Sequence, residues 1–116
     1  MMIDKTLLGI FEDNRGYLIW ASQKILDFEY KYLTIGTINP GCKRGGHFHK
    51  VINEKILCIY GTIKLQLDND IMELKAGEIA HIPANSVHTV FNTGTVVASF
   101  IEFKSEEFGK EDTYVK

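Results

Sequence analysis

Cysteine occurs only twice in this chain, as Cys42 and Cys58, sixteen residues apart and without a CxxC pair. That excludes a disulfide framework and gives no zinc-ribbon spacing; both thiols are expected to be reduced, with Cys58 a small core residue. No apolar run approaches the ~20 residues that span a bilayer, so no membrane segment is expected. Basic charge is not in excess: 13 Lys and Arg against 15 Asp and Glu give a net charge of −2. Nothing there favours a nucleic-acid partner. No GxGxxG follows a strand-like segment, which excludes a dinucleotide-binding reductase. The first residues lack a signal-peptide layout, so a cytoplasmic protein is expected. No window holds a sustained 3.6-residue period, although 22–28 has the makings of a helical turn. Ser/Pro-rich linkers and low-complexity stretches are also missing, and 116 residues suit one domain over 1–116.

What the chain does have is turn chemistry at short intervals. Asp13-Asn14-Arg15-Gly16, Asn39-Pro40-Gly41, Gly45-Gly46, Gly61, Asp68-Asn69-Asp70, Gly77, Pro83-Ala84-Asn85 and Asn92-Thr93-Gly94 punctuate it. Runs rich in Ile, Val, Thr, Tyr and Phe lie between them. They predict strands over 7–11, 17–21, 30–38, 47–51, 55–60, 62–67, 71–74, 78–82, 89–91 and 96–103. In 62–67, Ile63, Leu65 and Leu67 share one face, with Lys64 and Gln66 on the other. In 30–38, Leu33 and Ile35 share a face opposite Tyr30, Tyr32 and Thr34. Ten short strands at this spacing read as an all-β sandwich or barrel. If Glu54 faces inward, so do Ile56, Cys58 and Tyr60. Leu57 and Ile59 then face outward and need cover, for which a second subunit is one candidate.

Three of the four histidines fall into one pattern with a carboxylate: His47, His49, Glu54 and, further on, His88. Two His on alternate strand positions project from one face, about 6.5–7 Å apart, close enough for both imidazoles to reach one ion. Three imidazoles and a carboxylate suit one divalent transition metal: zinc first, with iron, manganese, nickel or cobalt also able to use this set. Such a site leaves coordination positions to water or substrate. Two other readings stay open: unrelated polar residues, or a metal-free pocket in which the histidines act as acid and base. His81 lies off the pattern and reads as a structural residue or a pocket lining.

The spacing carries a resemblance. From Gly41 through His47, His49 and Glu54 to Gly61 the chain fits the first cupin motif. From Gly77 through Pro83 and His88 to Asn92 it fits the second, with Asn85 where the family has glycine. Asn is among the residues that best tolerate left-handed backbone, so the departure is mild. The resemblance implies an all-β cupin double-stranded β-helix, a jelly-roll barrel with the site inside. Arg44-Gly45-Gly46-His47-Phe48-His49-Lys50 resembles the signature of dTDP-sugar 3,4-ketoisomerases. His47, His49 and Asn53-Glu54-Lys55, with Ile82-Pro83, His88, Asn92-Thr93-Gly94 and Asp112-Thr113-Tyr114, resemble the C-terminal cupin domain of capsular UDP-sugar reductase/epimerases. Phe11-Glu12-Asp13-Asn14-Arg15-Gly16 is similar to the start of deoxyhexose epimerases.

These likenesses imply an isomerase or epimerase of a 4-keto nucleotide-linked deoxysugar in surface-polysaccharide biosynthesis, working as a homodimer. It would remove a proton beside the carbonyl and stabilise the enediolate with a metal on His47, His49, Glu54 and His88. In the metal-free version His49 or His47 is the base. Lys50 and Tyr32 are further catalytic candidates. Arg44 could clamp a diphosphate, and Tyr60 and His81 could line the substrate site. A metal-dependent oxygenase and a non-catalytic sugar- or metal-binding cupin are the alternatives.

Overall fold

The computed structural model describes residues 3–22, 29–50, 52–106 and 114–115. Within them lie twelve strands: β1 (Lys5–Leu7), β2 (Gly9–Asp13), β3 (Gly16–Trp20), β4 (Tyr32–Ile38), β5 (Lys43–Phe48) and β6 (Glu54–Tyr60), followed by β7 (Thr62–Leu67), β8 (Asp70–Lys75), β9 (Glu78–Ile82), β10 (His88–Phe91), β11 (Ala98–Lys104) and β12 (Tyr114–Val115). They form two five-stranded sheets, β1-β9-β6-β11-β4 and β12-β5-β10-β7-β8, and a separate β2-β3 hairpin. All pairings are antiparallel. Among the described residues no helix is long and apolar enough to cross a membrane.

The inner faces of the two sheets meet in one core. Ile63, Leu65 and Leu67 enter it from β7 as their alternation predicts. Ile56 and Cys58 come from β6, Ala80 and Ile82 from β9, and Phe100 from β11. Complete burial of each Ile or Leu stabilises the barrel by about 1.5–3 kcal/mol relative to exposure. The buried ionisable residues His88 and Glu54 gather toward one end, while buried Asn92 lies toward the other. Register explains it: Lys104 pairs with both Tyr32 and Glu54, and Glu54 with Ile82, so one row crosses the sheet there. In the other sheet His88 pairs with His47 and Leu67.

Several expectations need correction. The strand expected at 47–51 runs instead over Lys43–Phe48, so His49 lies just beyond it. The first expected strand is two, β1 and β2, split at Leu8, and β12 had no sequence signal. Tyr60 does not face the core; it is 54% exposed. Ser99 pairs with Tyr60 but Phe100 with Cys58, so Ile59 is bulged out and the inward alternation ends there. Leu57 is covered by this chain itself: Leu8, Ile79, Ile19, Ile59 and Phe103 pack around it. The Tyr17 hydroxyl donates to the Ile59 carbonyl and fastens the hairpin there. The turn expected at 22–28 lies, apart from Ser22, outside the described residues.

Candidate functional site

β5 and β10 bring His47 and His88 together edge to face, because they are register partners; their ring centroids are 4.5 Å apart at 77°. A break in register between His88 and Thr89 lets this close approach form. His49 follows the end of β5, yet its ring centroid is only 5.3 Å from that of His47. Its carbonyl accepts the Asn85 N–H, which ties the loop after β5 to the turn before β10. Asn53 supports the same loop, accepting the Ala84 N–H at 3.2 Å. Glu54 opens β6 inside the barrel, 1% exposed, with Oε1 3.0 Å from His49 Nε2 and Oε2 3.6 Å from His88 Nε2. Asn92, the last residue of the second motif, is structural. Its amide donates to the carbonyls of Ile38 and Val96 and its oxygen accepts the Gly94 N–H.

His47 and His88 face a cavity of about 430 Å³ that is also lined by Lys43, Arg44, Gly45, Ile82, Val90, Phe100, Glu102 and Lys104. Its electrostatics follow from burial. Burial, more than the neighbouring His49 charge, lowers the His47 pKa below that of a free imidazole. Burial brings His88 down to about 4 despite the attraction of Glu54. Both rings are therefore neutral near pH 7, with lone pairs to offer. Burial raises the Glu54 pKa, but the His49 hydrogen bond and the electrostatic pull of His88 and Lys104 outweigh it, and the net shift is downward. Glu102 moves the other way: burial, then the Glu54 charge, push it up to about 7.

The donors fit a divalent transition ion. One ligand atom from each of His47, His49 and His88 lies within 4.8 Å of the others, and Glu54, His88 and Glu102 form a second such set. The neutral His47 and His88 rings beside an ionised Glu54 are in the protonation states that metal binding requires.

Other expected site residues lie apart from this cluster. Arg44 lines the cavity, with Nε donating to the Thr37 carbonyl. Tyr32 stands beside it, its ring centroid 5.7 Å from Lys104 Nζ. Lys50 does not reach the cavity lining; it is exposed, with Nζ 4.4 Å above the Tyr114 ring. Tyr60 is six residues along β6 from Glu54, about 20 Å at strand rise, and so at the far end of the barrel. His81 pairs with Lys55 on the outer face of its sheet, because Ile82 takes the inward position opposite Glu54. Lys50, Tyr60 and His81 therefore leave the candidate site. Glu102 and Lys104 enter it unannounced. The available signal was alternation: in 98–104, Phe100, Glu102 and Lys104 share one face, so two charges stand on the face that carries a core Phe.

The Cupin domain family profile matches residues 34–104. Among curated proteins, the chain is similar to a mannose-1-phosphate guanylyltransferase of Salmonella muenchen, 30% identical over 80 residues, covering 69% of this chain and 17% of that protein. One from Escherichia coli K12 is 30% identical over 101 residues, covering 86% and 21%. The chain thus spans about a fifth of the length of these relatives. Among solved structures it is similar to a 3,4-ketoisomerase from Helicobacter canadensis, with a TM-score of 0.85, 20% identity, and coverage of 100% of this chain and 92% of that one. It is also similar to QdtA, a sugar 3,4-ketoisomerase from Thermoanaerobacterium thermosaccharolyticum in complex with TDP, with a TM-score of 0.83, 21% identity, and coverage of 98% and 88%. At these identities the structural matches establish the fold.

Proposed function

This chain belongs to the cupin family, and from that premise we propose that it isomerises or epimerises a 4-keto nucleotide-linked sugar by moving the proton beside the carbonyl. One observation carries the reading. Two groups able to hold a proton, His47 from β5 and Glu102 from β11, face a single cavity from opposite sheets. A proton taken from one side of a sugar ring and returned on the other, or at the next carbon, needs that arrangement. Glu102, with a pKa of about 7, exchanges protons readily near neutral pH. Lys43 and Arg44, exposed on the cavity wall, suit the diphosphate of the nucleotide. The substrate class is supported by the fold shared with the sugar 3,4-ketoisomerase QdtA, whose structures hold TDP and TDP-4-keto-6-deoxyglucose.

His47, His49, His88 and Glu54 would hold the metal, which when bound supplies Lewis-acid stabilisation of the developing enediolate. With an ion bound, the His47 lone pair is taken and Glu102 is left both to remove the proton and to return it, so His47 and Glu102 act as a pair only where no ion is bound. The reading includes a homodimer, supported by the apolar residues that the hairpin leaves uncovered.

The test is solvent exchange. Protein incubated with TDP-4-keto-6-deoxyglucose in D₂O is expected to place deuterium at C3 of the recovered substrate or the C3 epimer, or at C4 of the 3-keto isomer, read by proton NMR. Glu102→Gln should slow exchange about 10²–10⁴-fold. No exchange from TDP- or UDP-linked 4-keto sugars, with or without added Zn²⁺, Fe²⁺ or Mn²⁺, would sink the reading.

A further inference from the structure

The cavity holds three cations, and they are not alike. Lys43 and Arg44 are exposed. The Lys104 side chain is only 16% exposed and stands on the inner row of its sheet, between Tyr32 and Glu54. A cation this far from water needs a compensating charge. Glu54 provides it, but at 3.8 Å from Nζ to Oε1 the contact is an ion pair longer than a hydrogen bond. An ammonium has three N–H donors and no acceptor. Among the described residues Lys104 is thus held in place by Glu54 and by the Tyr32 ring 5.7 Å away, with its donors available to something in the cavity. His47, His88 and Glu102 line the same space.

We propose that Lys104 is a catalytic residue, its ammonium hydrogen-bonding the carbonyl oxygen of the keto sugar and neutralising the enediolate that forms there. This rests on the isomerase/epimerase reading above. The C–H bond beside the carbonyl breaks and its proton goes to the cavity base. The bond's electron pair forms the C=C bond, and the carbonyl π pair moves onto oxygen. Lys104 keeps its protons throughout and contributes a fixed positive charge where negative charge develops. In a water-poor cavity such a charge acts more strongly than in solvent and needs no reorganisation during the reaction. The exposed Lys43 and Arg44 lack that advantage, which suits them to binding instead.

The experiment compares the native protein with Lys104→Met in the C3 exchange assay with TDP-4-keto-6-deoxyglucose, alongside TDP affinity by calorimetry and metal content by elemental analysis. Exchange should fall about 10²–10³-fold, the usual loss on deleting one preorganised oxyanion donor. TDP affinity and metal content should stay within about twofold of native, and added ethylammonium should partly restore exchange in Lys104→Ala. Exchange at the native rate in Lys104→Met would overturn the proposal and leave Lys104 a counter-ion of Glu54. So would a loss of TDP affinity with kcat intact, which would make it a phosphate ligand. If Lys104→Met does not fold, Lys104→Gln, which keeps a polar end beside Glu54, carries the same comparison. Native protein that exchanges nothing removes the isomerase reading and this proposal with it; exchange by native protein and by Lys104→Met alike removes this proposal alone.

Discussion

Glu54 and Glu102 cannot both carry charge cheaply in a pocket shared with two shielded imidazoles. Glu54 keeps its charge because His49, His88 and Lys104 face it, while Glu102 retains a proton up to about pH 7. In the metal-free protein this has a signed consequence. The folded Glu102 pKa of about 7 exceeds the ordinary 4.5, so over that interval the folded state binds more protons than the unfolded chain. Glu102 therefore makes stability fall as pH rises from about 4.5 to 7. His88 does the opposite: folded at about 4 against an ordinary 6.5, it makes stability rise over that window. The two slopes oppose each other where they overlap. Glu102→Gln deletes only the falling one, so the variant's stability relative to native should grow between pH 5 and pH 8. Urea midpoints at the two pH values check this, and a pH-independent difference would show that Glu102 ionises as it would in water.

The element that decides the site is the β5–β10 pair. Lys43-Arg44-Gly45-Gly46 reads as a turn, being polar and glycine-rich, yet it is most of a strand. Strand propensity reflects a fit to a half-buried pleated surface, and this strand faces a polar cavity, so the usual Val and Ile signal is absent. Gly45 is needed there. Its φ is +126°, and a Cβ would come within 2.5 Å of the His88 carbonyl oxygen and 2.7 Å of Thr89 Cα. Gly45→Ala should destabilise through both backbone strain and overpacking, each about 1–3 kcal/mol. It should also separate His47 from His88 and weaken metal binding. Asn85 is the control. Its φ of 70° bears out the left-handed turn expected where the cupin motif has glycine. Asn85→Gly should change stability by less than about 1 kcal/mol. Thermal melts with metal titrations separate the two variants; an undisturbed Gly45→Ala protein would contradict the close packing.

At the scale of the molecule, the open question is cover. The β2-β3 hairpin turns Ile19 and Tyr17 toward the sheet and presents Phe11, Leu18 and Trp20, which are 53%, 68% and 58% exposed. On edge strand β4, Leu33 and Ile35 are 45% and 67% exposed. Large exposed apolar residues gathered on one hairpin mark an association surface. The protein should sediment at about twice its 13.2 kDa chain mass. Leu18→Lys with Trp20→Lys should shift it to monomer and leave the cavity intact. A native monomer at tens of micromolar would refute the dimer.

Sequence alone determined the strand-rich class, the alternation in β7, the left-handed Asn85 and the clustering of His47, His49, Glu54 and His88. Each follows from local periodicity, turn chemistry or ligand spacing, which residues close in the chain express by themselves. Only the tertiary structure decided that Leu57 is covered by the chain itself, that His81 and Tyr60 lie away from the cavity, and that Glu102 and Lys104 face it. Those outcomes depend on register between strands far apart in sequence and on one bulge at Ile59. A one-residue change in pairing moves a side chain to the other face of the sheet, and no local pattern records it.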